Sequence, residues 1–361
     1  MGDGLQIGGR LLAQGAYGCV FDPPLSCKGV KGLPHKGKVG KLSEETDLRA
    51  EILAAYLLQA DPEAKKYLLL PQPATLCTPE LDPAKQADKT IGECEPLKKA
   101  VRRGDKMFQY EMDNGGMAFR KYLDTKINIE TFPYWAHAQQ LLEIGAFLAL
   151  HGVVHNDMHG GNLLIDDALV PRLTDFGRTY SHKSINKDLV DNLRGDYAPH
   201  LNQLPPEDSC KDGIEDGYSL PQILEDLRTK KAGLLMAERY LGVSRREQMA
   251  EFEKFWKTSK AAQSRDWVAF MKLYWPVFDA WSIGVNLMTV LRKMLMSKKF
   301  TESQDWKRRQ GMFKEILRGL LRASPRSRID CVEALAAFDP TNELVMSKAG
   351  QAWLAAREAQ R

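Results

Sequence analysis

Cysteine is scarce and scattered, and glycosylation sequons, long apolar runs and a strong charge of either sign are missing. The six cysteines, Cys19, Cys27, Cys77, Cys94, Cys210 and Cys331, form no C-x-x-C pair, so a zinc ribbon is not indicated. With no N-x-[ST] sequon either, nothing points to a secreted disulfide scaffold. Free thiols and a reducing, cytoplasmic compartment are the expectation. The longest apolar stretch, around residues 141–154, is broken by Glu143 and His151 and is shorter than the roughly 20 residues a membrane span needs. The opening MGDGLQ lacks the apolar core of a signal peptide and a Ser or Thr at residue 6, so neither a leader nor myristoylation is expected. The 51 Lys+Arg against 47 Asp+Glu leave a surplus of four, too little for a basic stripe; neither nucleic acid nor membrane is an expected partner.

What is present is ample chain for a core: 361 residues, 43% apolar and 27% charged, enough for one large domain or two lobes. Short apolar runs broken by glycines between Leu5 and Val20, and the run 38–42, read as strands. Leu48, Ile52, Leu53, Tyr56 and Leu57 recur at helical spacing, which predicts a helix over 44–59. Residues 71–103 are Pro-rich and polar and lead into a basic cluster (Lys98, Lys99, Arg102, Arg103, Lys106), which reads as a surface insertion with a solvated face.

A strand over 106–112 runs into the turn Asp113-Asn114-Gly115-Gly116, the expected boundary between a first domain, 1–114, and a second, 115–361. Beyond it, residues 131–152 and 279–296 predict helices; the second is apolar nearly all round, as a helix buried on most sides must be. Between them, residues 203–272 predict an inserted subdomain of two or three amphipathic helices, one opened by a capping box at Ser244 and Glu247.

Chemistry enters with LLAQGAYGCVF, in which Gly15 and Gly18 make either a plain hairpin turn or a loop whose exposed backbone N–H groups lie over phosphates. Downstream, HNDMHGGNLLI (155–165) and DFG (175–177) set Asp157 five residues before Asn162 and eighteen before Asp175. Each specified residue has odds of roughly one in twenty at average composition, so chance is a poor explanation for the set. On these motifs the chain resembles the protein kinase family.

That resemblance implies an α+β, two-lobed fold, a small antiparallel β lobe with one helix followed by a larger, mainly helical lobe, and ATP and Mg²⁺ as cofactors. It assigns Ala13, Gly15, Gly18 and Val20 to the Gly-rich loop, with Ala13 where the first glycine usually stands. Lys41 would hold the α- and β-phosphates and Glu51 would be its ion-pair partner, with Glu45 as the substitute. Glu111 and Asp113 fall in the segment to which adenine bonds. Asp157 would be the catalytic base, Asn162 and Asp175 the Mg²⁺ ligands, and His155 a residue packed behind the loop.

DAWSIG (279–284) resembles the start of the family's central helix, where Asp279 would bond the backbone of the catalytic loop and Trp281 would pack beneath it. In SPRSRIDCVEAL (324–335), Arg328 matches the arginine that ordinarily pairs with the glutamate of an A-P-E triplet. The implied activity is transfer of the ATP γ-phosphoryl group to Ser or Thr hydroxyls of proteins; nothing resembles a tyrosine-kinase catalytic loop. GAYGCVFDPPLSCK, the shortened strand-lysine segment and the two insertions look most like kinases of large nucleocytoplasmic DNA viruses, which implies host or virion proteins as partners.

Beyond Ala13, three further features depart from the family. Asn156 replaces the arginine that anchors a phosphorylated loop. His159 stands where Ser/Thr kinases carry lysine, and the D-x-H-x-x-N pattern also suits aminoglycoside and choline kinase-like enzymes. No A-P-E triplet occurs; the candidates are Ala198-Pro199-His200 and Tyr274-Trp275-Pro276. The alternatives to a protein kinase are therefore a small-molecule phosphotransferase and a weakly active virion scaffold. Cys19 reads as a small packed or solvent-facing residue before an electrophile target, and Asp208, Asp212 and Asp216 as loop carboxylates before a calcium site.

Overall fold

The computed structural model describes residues 9–15, 18–29, 37–82, 86 and 88–359. The start of the chain and Ala16 and Tyr17 in the glycine-rich turn lie outside the described residues. The chain divides into two compact units: one ends at Gly116 and also takes in Thr174–Gly177, and the other comprises Met117–Leu173 and Arg178–Arg361.

The first unit is built on five strands, β1 (Arg10–Gln14), β2 (Gly18–Asp22), β3 (Lys38–Glu44), β4 (Gln72–Cys77) and β5 (Met107–Asp113), in the order β1-β2-β3-β5-β4. All neighbours are antiparallel. Strand alternation sorts the side chains onto two faces. Val39, Tyr110 and Met112 turn to one face and pack with Leu48 of helix α1 (Glu45–Leu58). Cys19, Phe21, Leu42 and Met107 turn to the other and pack with Ile91, Cys94, Leu97 and Ala100.

The second face corrects the expectation that residues 71–103 form a surface insertion. They contribute β4 and a helix, Glu95–Arg103, whose Leu97 and Ala100 are core. That helix carries Pro96 in its first turn and ends on Gly104 at φ 76°, the usual start and stop pair. Its basic residues do face outward. The thiol expectation is also corrected: Cys19 bonds to Cys94 and Cys27 to Cys77, while Cys210 and Cys331 are free and buried. Partners 75 and 50 residues apart are brought together only by the sheet and the insertion folding onto it. The reading of a reducing compartment, which rested on the scattered cysteines and the missing sequon, is not accompanied by the free thiols expected with it.

The second unit is mainly helical. Phe278–Met294 is buried along nearly its whole length and packs on Tyr134–Leu150 and Cys331–Phe338. The three approach so closely at Gly145 that a Cβ there would run into Cys331 Sγ. Residues 203–272 hold six helices rather than two or three: Pro206–Glu215, Leu220–Lys230, Ala232–Leu241, Arg245–Thr258, Lys260–Gln263 and Trp267–Tyr274. The Ser244 cap accepts from Glu247 N as expected. The insert packs into the unit rather than standing apart; Gly233 lies against the ring of Trp281.

Two small sheets frame residues 155–162. Val153–Val154 pairs with Tyr180–Ser181 on the entering side, and Leu163–Ile165 pairs with Met117–Ala118 and Pro171–Leu173 on the leaving side. The architecture is thus α+β and kinase-like, a five-stranded antiparallel sheet with its helix followed by a larger helical part. Among the described residues no helix is long and apolar enough to cross a membrane.

One core group makes this unit acid-sensitive. His137 is buried against Phe119, with ring centroids 4.4 Å apart, and neither ring nitrogen has a hydrogen-bond partner among the described residues. Burial pushes its pKa from 6.5 down to about 3. The unfolded chain therefore takes up a proton below pH 6.5 that the folded chain refuses. This contribution is intact above that pH and is lost at about 1.4 kcal/mol per pH unit as pH falls toward 3. In urea titrations between pH 7 and 4, His137→Phe is expected to flatten that slope; an unchanged slope would assign the acid sensitivity elsewhere.

Candidate active site

Lys41 lies in β3, where the alternation that turns Val39 toward α1 turns Lys41 the same way. Its ammonium is 2.7 Å from Glu51 Oε1 and 2.9 Å from Asp175 Oδ1. Glu51, two turns into α1, is 2% exposed and also accepts a short hydrogen bond from the Tyr110 hydroxyl. Tyr110 is directly opposite Lys41 in the β3–β5 ladder, so the register itself assembles this network. Burial would lower the Lys41 pKa, but attraction to Glu51 and Asp175 outweighs it and the ammonium stays charged. Burial raises the Glu51 pKa, and Lys41 and Tyr110 oppose that rise. Glu45 does not substitute for Glu51: it is exposed and pairs with Arg49 at 2.8 Å.

The glycine-rich segment spans the turn from β1 to β2, with Ala13 opposite Val20 and Gly15 N bonded to Gly18 O at 2.9 Å. Gly18 is required sterically, because a Cβ there would run into the Leu42 carbonyl oxygen, whereas Gly15 faces open space. Val20 packs beside the cluster under α1. Glu111 and Asp113 end β5; Glu111 N donates to Thr75 Oγ1 at 2.8 Å, and Asp113 pairs with Lys38 at 2.6 Å. Asp175 has φ 66°, left-handed backbone that a non-glycine residue adopts only where its surroundings hold it.

In the second unit the loop 155–162 is clamped from the central helix. Asp279 accepts from His155 N at 2.7 Å and from Asn156 N at 3.0 Å. Burial raises its pKa to about 6, with those two backbone bonds opposing. Asn286, one helical turn past Ser282 and unread in the sequence, donates to Met158 O at 3.2 Å. His155 accepts from Asp157 N at 3.3 Å, so its ring supports the loop from behind. Asn162 Nδ2 donates to Asp157 O at 3.0 Å and to Asp157 Oδ2 at 3.2 Å, leaving its amide oxygen as the atom that can face a cation. His159 Nε2 is 3.8 Å from Asp157 Oδ2. Asn156 sits at φ 61°, where asparagine is among the better-tolerated residues.

Lys41, Glu51 and Asp175 thus meet in the first unit, and Asp157 and Asn162 in the second. Among the described residues no group of three or more His, Cys, Asp or Glu is gathered around a metal position. Asp212 pairs with Lys211 and Asp216 with Arg194, as structural carboxylates do.

Arg328 has a partner that neither proposed triplet supplies. Its guanidinium forms a two-pronged pair with Glu207, both contacts 2.7 Å, and both side chains are fully out of water. Glu207 belongs to Pro205-Pro206-Glu207, so Ala198-Pro199-His200 and Tyr274-Trp275-Pro276 are corrected. The legible signal was a proline-glutamate pair at the start of a helix. Just before it, three successive carbonyls are pinned: Leu201 by Lys231 at 2.9 Å, Asn202 by Trp281 at 2.9 Å and Gln203 by Ser282 at 2.5 Å. Burial brings the Lys231 pKa down to about 7, with Asp208 and Glu207 opposing.

The human phosphorylase b kinase gamma catalytic chain, liver/testis isoform, is 24% identical to this chain over 229 residues, 59% of this chain and 42% of that one. This chain therefore spans less than half the length of that relative. No family model matches. The likeness is to a protein kinase. Together with the fold it supports a kinase-like phosphotransferase.

Removing one side of a buried ion pair strands the other charge. Glu207→Ala is expected to cost about 3–5 kcal/mol in urea unfolding, and Glu207→Leu combined with Arg328→Met to recover much of it. Equal loss in both variants would mean that packing, not charge, dominates there.

Proposed function

We propose that this protein is an ATP- and Mg²⁺-dependent protein kinase that transfers the γ-phosphoryl group to Ser or Thr hydroxyls, with host or virion proteins as acceptors. The observation that carries the reading is Lys41 held between Glu51 and Asp175, a cation kept charged and aimed by two carboxylates. The donor set suits the implied groups: the Asp175 carboxylate and the Asn162 amide oxygen are hard ligands of the kind Mg²⁺ takes. Mg²⁺ held by such ligands would supply charge neutralisation on the phosphates. Lys41 would bind the α- and β-phosphates. Ala13, Gly15, Gly18 and Val20 would cover the nucleotide, and Glu111 and Asp113 would meet adenine. Asp157 would accept or orient the proton of the attacking hydroxyl, its carboxylate steadied by Asn162.

His159 beside Asp157 favours a second reading, a phosphotransferase for a small alcohol or amine. Transfer of labelled γ-phosphate from Mg·ATP to mixed proteins, aminoglycosides and choline separates the two. Label on Ser or Thr is expected; label confined to a small molecule selects the second reading, and no transfer to any acceptor overturns both. Asp157→Asn and Asp175→Asn are each expected to lower the rate by about 10²–10⁴-fold with the fold retained.

Asn156 cannot anchor a phosphorylated loop as arginine does, and residues 194–203 are already tied by Asp216, Lys231, Trp281 and Ser282. Phosphatase treatment is accordingly expected to leave activity unchanged. A large loss would show that a phosphate is needed after all.

A further inference from the structure

A cavity of about 430 Å³ opens in the second unit, lined by Arg318, Arg322, Arg326, Glu315, Ser327 and Ile329 among others. None of these residues belongs to the proposed catalytic set. They come from the end of the helix Gln304–Leu320 and the turn that leads to Cys331–Phe338. Its wall carries three guanidiniums against one lining carboxylate.

The three arginines are held in different ways. Arg318 pairs with Glu315 and donates through Nε and Nη2 to the Leu241 carbonyl at 3.0 and 2.6 Å, which fixes its plane. Arg326 lies over the ring of Phe255, its Cζ 5.4 Å from the centroid. Arg322 approaches Glu251 only to 3.4 Å, with side chains 43% and 38% exposed, and so long and wet a pair is weak. Glu251 also accepts a hydrogen bond from Ser327. One carboxylate from the helix Arg245–Thr258, held by that hydroxyl, therefore meets Arg322 only weakly.

The geometry points to this cavity as a docking site for a peptide that carries phosphoserine or phosphothreonine. A phosphomonoester brings nearly two negative charges and three acceptor oxygens, and so outcompetes the single charge of Glu251 for Arg322, while Arg326 adds a second cation on the same cavity wall. Among the described residues no aromatic side chain lines the cavity, so they offer nothing on which a nucleotide base would stack, while Ile329 offers apolar surface to a neighbouring peptide side chain. The site is independent of the phosphotransferase reading and of any turnover.

The test is a fluorescence-anisotropy titration of the full chain with a labelled phosphoserine peptide and its unphosphorylated twin, at constant ionic strength. Wild type is compared with Arg322→Ala/Arg326→Ala and with Lys307→Ala/Arg308→Ala, which removes the same charge from exposed positions. The phosphopeptide is expected to bind at least about tenfold more tightly than its twin, and to lose at least about tenfold in the cavity variant with the control nearly unchanged. Should the alanine variant unfold, Arg322→Lys/Arg326→Lys keeps the charge but loses the planar fork, and a loss of about threefold or more is expected. Equal binding of the twin, or undiminished binding in the cavity variants, overturns the assignment. Binding of inorganic pyrophosphate at the cavity without binding of the phosphopeptide overturns it too, leaving only an anion site.

Discussion

Glu51 is a carboxylate almost wholly removed from water, and the first unit is organised around making that tolerable. Left alone, such a group would take up a proton; Lys41 and Tyr110 oppose this by giving it a charge and a hydroxyl within hydrogen-bond reach. Both partners depend on one thing, the β3–β5 register that sets Lys41 opposite Tyr110. A slip of β3 by one residue would turn Lys41 to the opposite face, toward the core built on Cys19, Phe21 and Leu42, and away from Tyr110. The same buried charges that restrict the fold leave a lysine ammonium aimed and ionised, which is the property a phosphate-binding site needs.

The second unit meets the same constraint with different groups. Asp279 is buried and takes its bonds from the backbone of the loop that carries Asp157, so burial of the central helix and shape of the loop are one requirement. Arg328 and Glu207 meet the constraint by pairing with each other, and Arg328 adds the carbonyls of Arg322, Val277 and Ala323. Because Glu207 opens the helical insert and Lys231 and Gly233 lie within it, the insert also braces the Leu201 carbonyl and the Asn202 side chain.

Much of this was legible in the chain. The helix over α1 and the two long helices of the second unit follow from apolar spacing, and the strands from short β-rich runs between glycines. The kinase-like motifs located the residues that do meet: Lys41 with Glu51 and Asp175, and Asp157 with Asn162. What was misread shares a cause. The insertion 71–103 looked like surface because its few apolar residues are diluted by charge, yet Leu97 and Ala100 share one helical face and are core. The cysteine pairings, Tyr110 and Glu207 each depend on a partner 50 or more residues away in the chain.

The sequence by itself determined the element types, the apolar faces and the identity of the charged residues at the candidate site, because these rest on local periodicity and on motifs a few residues long. Only the tertiary structure decided which charge neutralises which: Glu51 rather than Glu45 for Lys41, and Glu207 rather than either proposed triplet for Arg328. A buried charge must find its opposite by proximity in space. That proximity is set by strand register and helix packing, which no local stretch of sequence encodes.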